Sequence, residues 1–212
     1  MHVIAANWQY LLRASVNTLW LAVSGILIST ALGTLVGVGC AVGVRAARYL
    51  NMVGVGIVRG VPLIVMLFLM YYSLPADISP YLAALVALSF YFTFFISEVI
   101  RGAILAIPLG QMEAAKSIGL TFWKRMWLVI LPQAFRSAIP PLMNLWIVLI
   151  KGTTYASVIG VWELMTASTE VSQRTDAPFQ VYGFDLVMFF VICYALTRIG
   201  RVAEARLRHG GH

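Results

Sequence analysis

Long apolar runs separated by short polar stretches dominate the pattern of this chain. The clearest run, Ala14 to Val44, contains no charged residue and exceeds the roughly 20 residues that a helix needs to cross a bilayer. Membrane spans are predicted at about 17–44, 57–74, 80–100, 137–150 and 182–202. The pattern therefore predicts an all-α integral membrane protein of about five transmembrane helices, with residues 1–212 forming a single transmembrane domain.

Two segments mix polar and apolar residues and do not fit this pattern. Residues 101–127 include Lys116, Lys124 and Arg125, and they predict short helices on the cytoplasmic membrane surface at about 106–126. Residues 151–180 include Glu163 and three further charged residues after it. Charges near the bilayer centre cost several kcal/mol or more. We therefore interpret the second segment as lining a cavity or re-entering the membrane, followed by an outer loop.

Composition supports lipid as the solvent of this chain. Hydrophobic residues make up 61% and charged residues 11%, with a mean hydropathy of +0.88, whereas soluble domains carry about 25% charged residues. The formal net charge of +7 does not indicate nucleic acid, because the basic residues stand at the ends of apolar runs instead of forming one stripe.

The basic residues predict the orientation of the chain. With the N-terminus outside and the C-terminus inside, the outer segments hold Arg13, Lys151 and Arg174. The inner segments then hold Arg45, Arg48, Arg101, Lys116, Lys124, Arg125, Arg198, Arg201, Arg206 and Arg208. This excess of inner positive charge favours an outside N-terminus and an inside C-terminus.

Residue types that carry catalysis or bind metals are sparse. Cys40 and Cys193 lie singly in apolar runs, and the histidines stand only at positions 2, 209 and 212. The glycine-rich stretches lack the lysine of a phosphate-binding loop and are typical of close helix packing in membranes. The sequence thus predicts no catalytic residue, no metal site and no cofactor of its own. A membrane enzyme would require a nucleophile or a metal constellation at membrane depth, and none is visible in the sequence.

The segment Gln111 to Pro132, QMEAAKSIGLTFWKRMWLVILP, predicts two short helices separated by a turn. Met112 to Ile118 contains good helix formers, Gly119 permits a sharp turn, and Thr121 is suited to begin the second helix. From the residues alone, such an amphipathic element either rests on lipid headgroups or enters a groove on a partner protein.

The spacing of this segment resembles a family signature. Glu113-Ala114-Ala115, then three residues, Gly119, nine residues and Val129-Ile130-Leu131-Pro132 are similar to the E-A-A element of permease subunits in binding-protein-dependent ABC importers. The flanking sequences resemble those of polar amino-acid permeases, namely Arg59-Gly60-Val61-Pro62-Leu63, Glu98-Val99-Ile100-Arg101-Gly102, Ile107-Pro108-Leu109-Gly110-Gln111, Leu131-Pro132-Gln133-Ala134-Phe135-Arg136 and Ser157-Val158-Ile159-Gly160-Val161.

The resemblance implies a type I ABC importer permease fold and a place in the bacterial cytoplasmic (inner) membrane. It implies partners as well: ATP-binding cassette ATPase subunits that bind the ATP, a second permease subunit that is identical or similar, and a periplasmic or extracellular substrate-binding protein. Translocation of an amino acid would follow alternating access. The residues implied to couple this chain to the ATPase are Glu113, Ala114, Ala115, Lys116, Gly119 and Leu120.

The substrate is less closely defined by the resemblance. Such permeases commonly show K-D-T-S where this chain has Lys151-Gly152-Thr153-Thr154. We expect Thr154, Ser157 and Glu163 to line the substrate pathway, with Lys151 as an alternative, structural partner of Glu163. An opine or another small polar solute remains an alternative substrate, and a passive channel, which needs no docking helix, remains an alternative function.

Overall fold

The fold is helical throughout the part of the chain that is described. The structure is a computed structural model that describes the backbone of residues 2–209 and the side chains of residues 2–202. The basic tail residues Arg206 and Arg208 thus have side chains outside the described residues. The helices are α1 (His2–Ala41), α2 (Arg45–Gly60), α3 (Leu63–Ser73), α4 (Pro80–Leu105), α5 (Leu109–Ser117), α6 (Phe122–Arg125), a π-helical segment (Met126–Ile130), α7 (Leu131–Gly152), a 3-10 segment (Thr153–Ile159), α8 (Leu164–Thr175) and α9 (Pro178–His209).

The predicted fold class is confirmed. Four helical stretches are long and apolar enough to cross a membrane, namely His2–Ala41, Pro80–Leu105, Phe122–Ile159 and Pro178–Val202. The pair α2 and α3 makes a fifth if it counts as one span. The first helix begins well before the predicted span, at His2.

The second predicted span, 57–74, is not one straight helix. α2 and α3 are bent by 112° at a short break. Val61 at the break is extended, with φ −112° and ψ 124°, because the ring of the following Pro62 disfavours helical geometry in the residue before it. The sequence contains Pro62, but it does not indicate the size of the bend.

The fourth span also differs from its predicted start. Pro140 and Pro141 stand near the start of the predicted span 137–150, but they lie inside α7, which begins at Leu131. Proline removes a backbone hydrogen bond from a helix interior. Membrane helices tolerate this where neighbouring helices and hydroxyl groups satisfy the freed backbone groups.

Small residues bring α1 and α4 into close contact. A Cβ atom on Gly33 would lie 2.7 Å from the carbonyl oxygen of Thr93, and one on Gly37 would lie 2.6 Å from that of Ser97. Real Cβ atoms do not approach so closely, so only glycine fits at these two positions. The interpretation of these glycines as packing residues is confirmed.

Buried apolar residues form two clusters. The larger one joins α1, α3, α4, α7 and the 3-10 segment. The smaller one joins the first half of α1 to α8 and the start of α9, and its buried members are Leu11, Ala14, Leu164, Ala167, Val171 and Val181. The mixed segment after α7 therefore packs on α1 and is not a free loop.

Candidate functional site

The helix-turn-helix between α4 and α7 is closed by local hydrogen bonds. The N–H of Leu120 donates to the carbonyl of Ala115 at 3.2 Å, and the N–H of Gly119 donates to that of Lys116 at 3.0 Å. This pair of bonds is the Schellman arrangement that ends a helix with a left-handed residue. Gly119 has φ +81°, so the turn predicted at this glycine is confirmed.

The surface of this element offers an apolar patch with charges beside it. Ile118 is 76% exposed and Trp123 is 60% exposed, although both side chains are large and apolar. Glu113 and Lys116 are exposed on the preceding helix, α5. Such apolar exposure beside charges is typical of a surface that binds a protein or a membrane.

One basic residue of this element differs from its expected placement. A basic residue on a membrane surface is expected to face water, but Arg125 is half-buried. Its guanidinium carbon lies 5.9 Å from the centre of the Phe122 ring, where a cation is attracted to the face of an aromatic ring. Lys124 is exposed as expected.

Of the six residues implied to couple, five are accessible and one anchors the element. Ala115 is only 4% exposed, because it faces the rest of the bundle. The exposed or partly exposed residues are Glu113, Ala114, Lys116, Gly119 and Leu120. On the inner side of the element, Met112, Phe122 and Met126 line a small cleft with the ends of α1 and α4.

The three residues expected on the substrate pathway do not lie together. Thr154 lines a cleft of about 580 Å³ between α3, α4, α7 and the 3-10 segment. Ser157 is half-buried, and its hydroxyl donates to the carbonyl of Thr154 at 2.7 Å. Glu163 is 1% exposed and is not among the residues lining this cleft.

Glu163 is held by α1 and α8 instead of by Lys151. One carboxylate oxygen accepts the N–H of Thr166 at 2.9 Å and so caps the start of α8. The other accepts the hydroxyl of Thr18 at 3.4 Å, and Thr18 also accepts the N–H of Leu164 at 3.0 Å. The carboxylate thereby fixes α8 against α1, a role that the sequence did not indicate.

The 580 Å³ cleft contains a cation that sequence reasoning had not placed there. Lys151 lines it together with an aromatic wall of Tyr91, Phe92 and Phe95, from the middle of α4, and Tyr155. In the described side chains the one ion pair joins Glu98 to Arg101, so Lys151 has none. Lys151 belongs to the apolar stretch Phe122–Ile159, and a charge in such a stretch faces a water-filled cavity or a charged partner.

The same cleft is where two helices are interrupted. α3 begins at Leu63, directly after the bend at Pro62, and α7 gives way to 3-10 geometry after Gly152. A Cβ on Gly152 would lie 3.1 Å from the Leu63 side chain, so the two interruptions are in contact. Interrupted helices near the bilayer midplane commonly form substrate sites in transporters.

Comparison with known proteins agrees with this arrangement. Residues 29–209 match the family model described as "Binding-protein-dependent transport system inner membrane component". The L-cystine transport system permease protein TcyB of Bacillus subtilis is 41% identical over 168 residues, which cover 77% of this chain and 72% of that protein. The glutamine transport system permease protein GlnP of Escherichia coli K12 is 32% identical over 203 residues, 93% of each chain.

Solved structures show the same fold. A chain of an amino acid ABC transporter crystallised with histidines superposes with a TM-score of 0.87, at 26% identity and with 96% of each chain covered. A chain of the inward-facing MetNI methionine ABC transporter superposes with a TM-score of 0.74, at 22% identity and with 91% of this chain and 95% of that chain covered.

Proposed function

This chain belongs to the family of binding-protein-dependent transport system inner membrane components, and from that premise we propose that it is the translocating subunit of an ATP-driven amino-acid importer in a bacterial cytoplasmic membrane. Its N-terminus lies outside and its C-terminus inside, as the distribution of basic residues favours. ATP is bound and hydrolysed by partner subunits. The chain itself catalyses no bond chemistry.

The observation that carries this proposal is the exposed helix-turn-helix after α4. Two backbone hydrogen bonds fix the turn at Gly119. The two short helices therefore move as one rigid unit when a partner protein displaces Ile118 and its neighbours. An ATPase groove that receives this element would bury the exposed apolar side chains. A passive channel does not bind an ATPase and so does not need an exposed docking surface.

The helices provide a direct route from this surface to the cleft. From Phe122 to Ile159 the backbone stays helical through α6, the π segment, α7 and the 3-10 segment. Displacement at the coupling end is therefore transmitted along one helical run to Lys151. Alternating access follows if two permease subunits, identical or similar, rock about a shared cavity when the ATPases close.

The cleft is suited to an amino acid without net positive charge. We assign Lys151 to the substrate carboxylate, the aromatic wall to its side chain and Thr154 to a polar contact. Among the lining residues described, none is acidic, and position 152 is glycine. A substrate-binding protein outside would deliver the amino acid, and Val148 and Tyr155, both exposed, would face the second permease subunit. The permeases named for cystine and glutamine support a substrate without net charge over a cationic opine.

Uptake into proteoliposomes tests the proposal. The chain is reconstituted with its ATPase and binding protein, and accumulation of labelled L-glutamine and L-cystine is measured with and without ATP. We expect the amino acid to accumulate only when ATP is present. The variant Glu113→Lys should still insert into the membrane, but it should lose both ATP-driven uptake and co-purification of the ATPase. Asp77→Lys, an exposed carboxylate in the loop between α3 and α4, is the matched control and should transport normally.

Two outcomes contradict the proposal. Downhill flux of amino acid through the isolated chain, without any ATPase, would identify a channel. Normal ATP-driven uptake by Glu113→Lys would remove the helix-turn-helix from the coupling route.

A further inference from the structure

A second cleft, of about 410 Å³, lies at the opposite end of α1 from the N-terminus. It is formed where α1 ends at Cys40 and Ala41, where α2 begins, and along the last turns of α4. Its polar side chains are Arg48, Asn51, Glu98 and Arg101. None of them takes part in the coupling surface or the substrate cleft.

The polar side chains on the α4 side are fixed by one another. Arg101 donates from Nε and Nη2 to the two oxygens of Glu98 at 3.0 and 2.8 Å, as their spacing of three residues predicts. Asn51 of α2 donates from Nδ2 to Glu98 at 2.5 Å and accepts a hydrogen bond from the hydroxyl of Ser97. The pair is thus held in place from two helices.

Arg48 has its own fixed position across the cleft. Its Nε donates to the carbonyl of Cys40 at 3.2 Å, in the last turn of α1, and its Nη2 lies 3.5 Å from the place of a Cβ on Gly43. The guanidinium therefore folds back over the turn between α1 and α2. Its two Nη groups donate to no acceptor within residues 2–202 and remain available to a ligand.

The cleft has the charge and the walls of a site for an anionic amphiphile. Arg48 and Arg101 outweigh the one carboxylate, Glu98, and Arg45 is exposed one turn before Arg48. Beside the cations, the side chains of Met52 and Leu105 are 65% and 60% exposed, although both are apolar. The cleft lies where the apolar helices α1 and α4 end, at Ala41 and Leu105, and the ends of apolar membrane helices reach the level of the lipid headgroups.

We propose that this cleft binds the phosphate of an anionic phospholipid such as phosphatidylglycerol. Arg48 donates to the phosphate oxygens with its free Nη groups, and the net positive charge of the cleft selects an anionic over a zwitterionic headgroup. The acyl chain lies along Met52 and Leu105. An inorganic phosphate ion would leave these apolar walls exposed to water, so a lipid is the better occupant.

The lipid site lies close to the helix-turn-helix. The lipid bridges the turn after α1 to the end of α4, and α4 leads within a few residues into the helix-turn-helix. A bound anionic lipid therefore stabilises the end of α4, from which the helix-turn-helix extends.

Lipid titration followed by native mass spectrometry tests this inference and requires no transport. The full-length chain, purified with its partner subunits and delipidated, is titrated with phosphatidylglycerol or with phosphatidylcholine of the same acyl chains. We expect phosphatidylglycerol to bind with higher affinity. Arg48→Gln should weaken that binding about 5-fold, and Met52→Glu, which places a negative charge at an exposed wall, should weaken it at least as much.

Arg13→Gln is the matched control, because Arg13 is an exposed arginine near the other end of α1. It should bind phosphatidylglycerol as the unchanged chain does. Equal binding by Arg48→Gln and Arg13→Gln, or equal binding of the two lipids, would overturn the inference. Displacement of phosphatidylglycerol by millimolar inorganic phosphate would overturn it as well, in favour of a site for the free ion.

Discussion

At the scale of single residues, the roles proposed for two positions depend on opposite properties. Lys151 matters for its charge, which no carboxylate in the described chain neutralises. Gly119 matters for its lack of a side chain, because its φ of +81° costs other residues about 1–2 kcal/mol. In the proposed function, Lys151 attracts the substrate carboxylate and Gly119 sets the shape of the surface that meets the ATPase.

Replacing Lys151 tests the substrate assignment. Lys151→Met keeps the length of the side chain and removes the charge, so the substrate carboxylate loses a charge-assisted contact and transport affinity should fall about 10-fold or more. Lys151→Arg should retain most of the uptake. The measurement is the concentration dependence of L-glutamine uptake in proteoliposomes. Equal affinity for Lys151→Met and the unchanged chain would place the carboxylate elsewhere.

Replacing Gly119 tests the hinge, and Gly110 offers a control. A Cβ added at either position would meet no atom within 4 Å, but only Gly119 has a positive φ. Gly119→Ala should therefore distort the hinge and reduce the stimulation of ATPase activity by substrate and binding protein, whereas Gly110→Ala, in the first turn of α5, should not. The same reduction in both variants would refute a special role for the turn.

At the scale of helices, the main adjustments occur where proline or close packing interrupts regular geometry. The N–H of Leu131 donates to the carbonyl of Met126, five residues back, and the next residue, Pro132, has no N–H to donate. The π segment thereby carries the coupling element into α7 without a break. α2 packs closely against α4 because Gly54, which has no side chain, faces the ring of Phe94.

Filling the space at Gly54 should separate α2 from α4. A Cβ there would lie 2.1 Å from the Phe94 ring, whereas one on Gly56 would meet nothing within 4 Å. Gly54→Ala is therefore expected to destabilise the chain by about 1–3 kcal/mol through overpacking. Gly56→Ala should be neutral or stabilising by up to about 1 kcal/mol, from helix propensity. Thermal unfolding of both variants in detergent measures the difference, and similar midpoints would contradict the close packing of α2 on α4.

At the scale of the whole molecule, the regions proposed for coupling and for substrate binding lie at different positions along α4. The helix-turn-helix and the cleft around Arg48 share the end where α4 finishes, while the Lys151 cleft faces the middle of α4. The cluster that joins α1 to α8 lies around the start of α1, near Leu11 and Ala14. The distribution of basic residues favours an orientation with the N-terminus outside and the C-terminus inside.

Cysteine labelling in spheroplasts tests the orientation. In a chain with Cys40→Ala and Cys193→Ala, an added Asp77→Cys should react with a membrane-impermeant maleimide in intact spheroplasts, because the proposed orientation places the loop between α3 and α4 outside. Lys124→Cys should react only after permeabilisation. Both positions are exposed in the structure, so a reversed pattern would mean the opposite orientation and would place the helix-turn-helix out of reach of an ATPase.

The sequence by itself determined the features that depend on neighbours along the chain. Apolar runs predicted the helical membrane fold, Gly119 predicted the turn, and the spacing of Glu98 and Arg101 predicted their pair, which the structure contains at 2.8 Å. Each of these results from contacts within one or two helical turns. Such contacts are the same wherever the helix is placed.

The tertiary structure alone decided which helix faces meet. Glu163 is paired with Thr18, 145 residues away, and the Lys151 cleft takes its aromatic wall from α4. In lipid an apolar side chain is satisfied on either side of a helix, so hydrophobicity does not distinguish the face that packs from the face that meets lipid. The partners of buried polar groups, and the bend of 112° between α2 and α3, therefore follow from packing and not from local pattern.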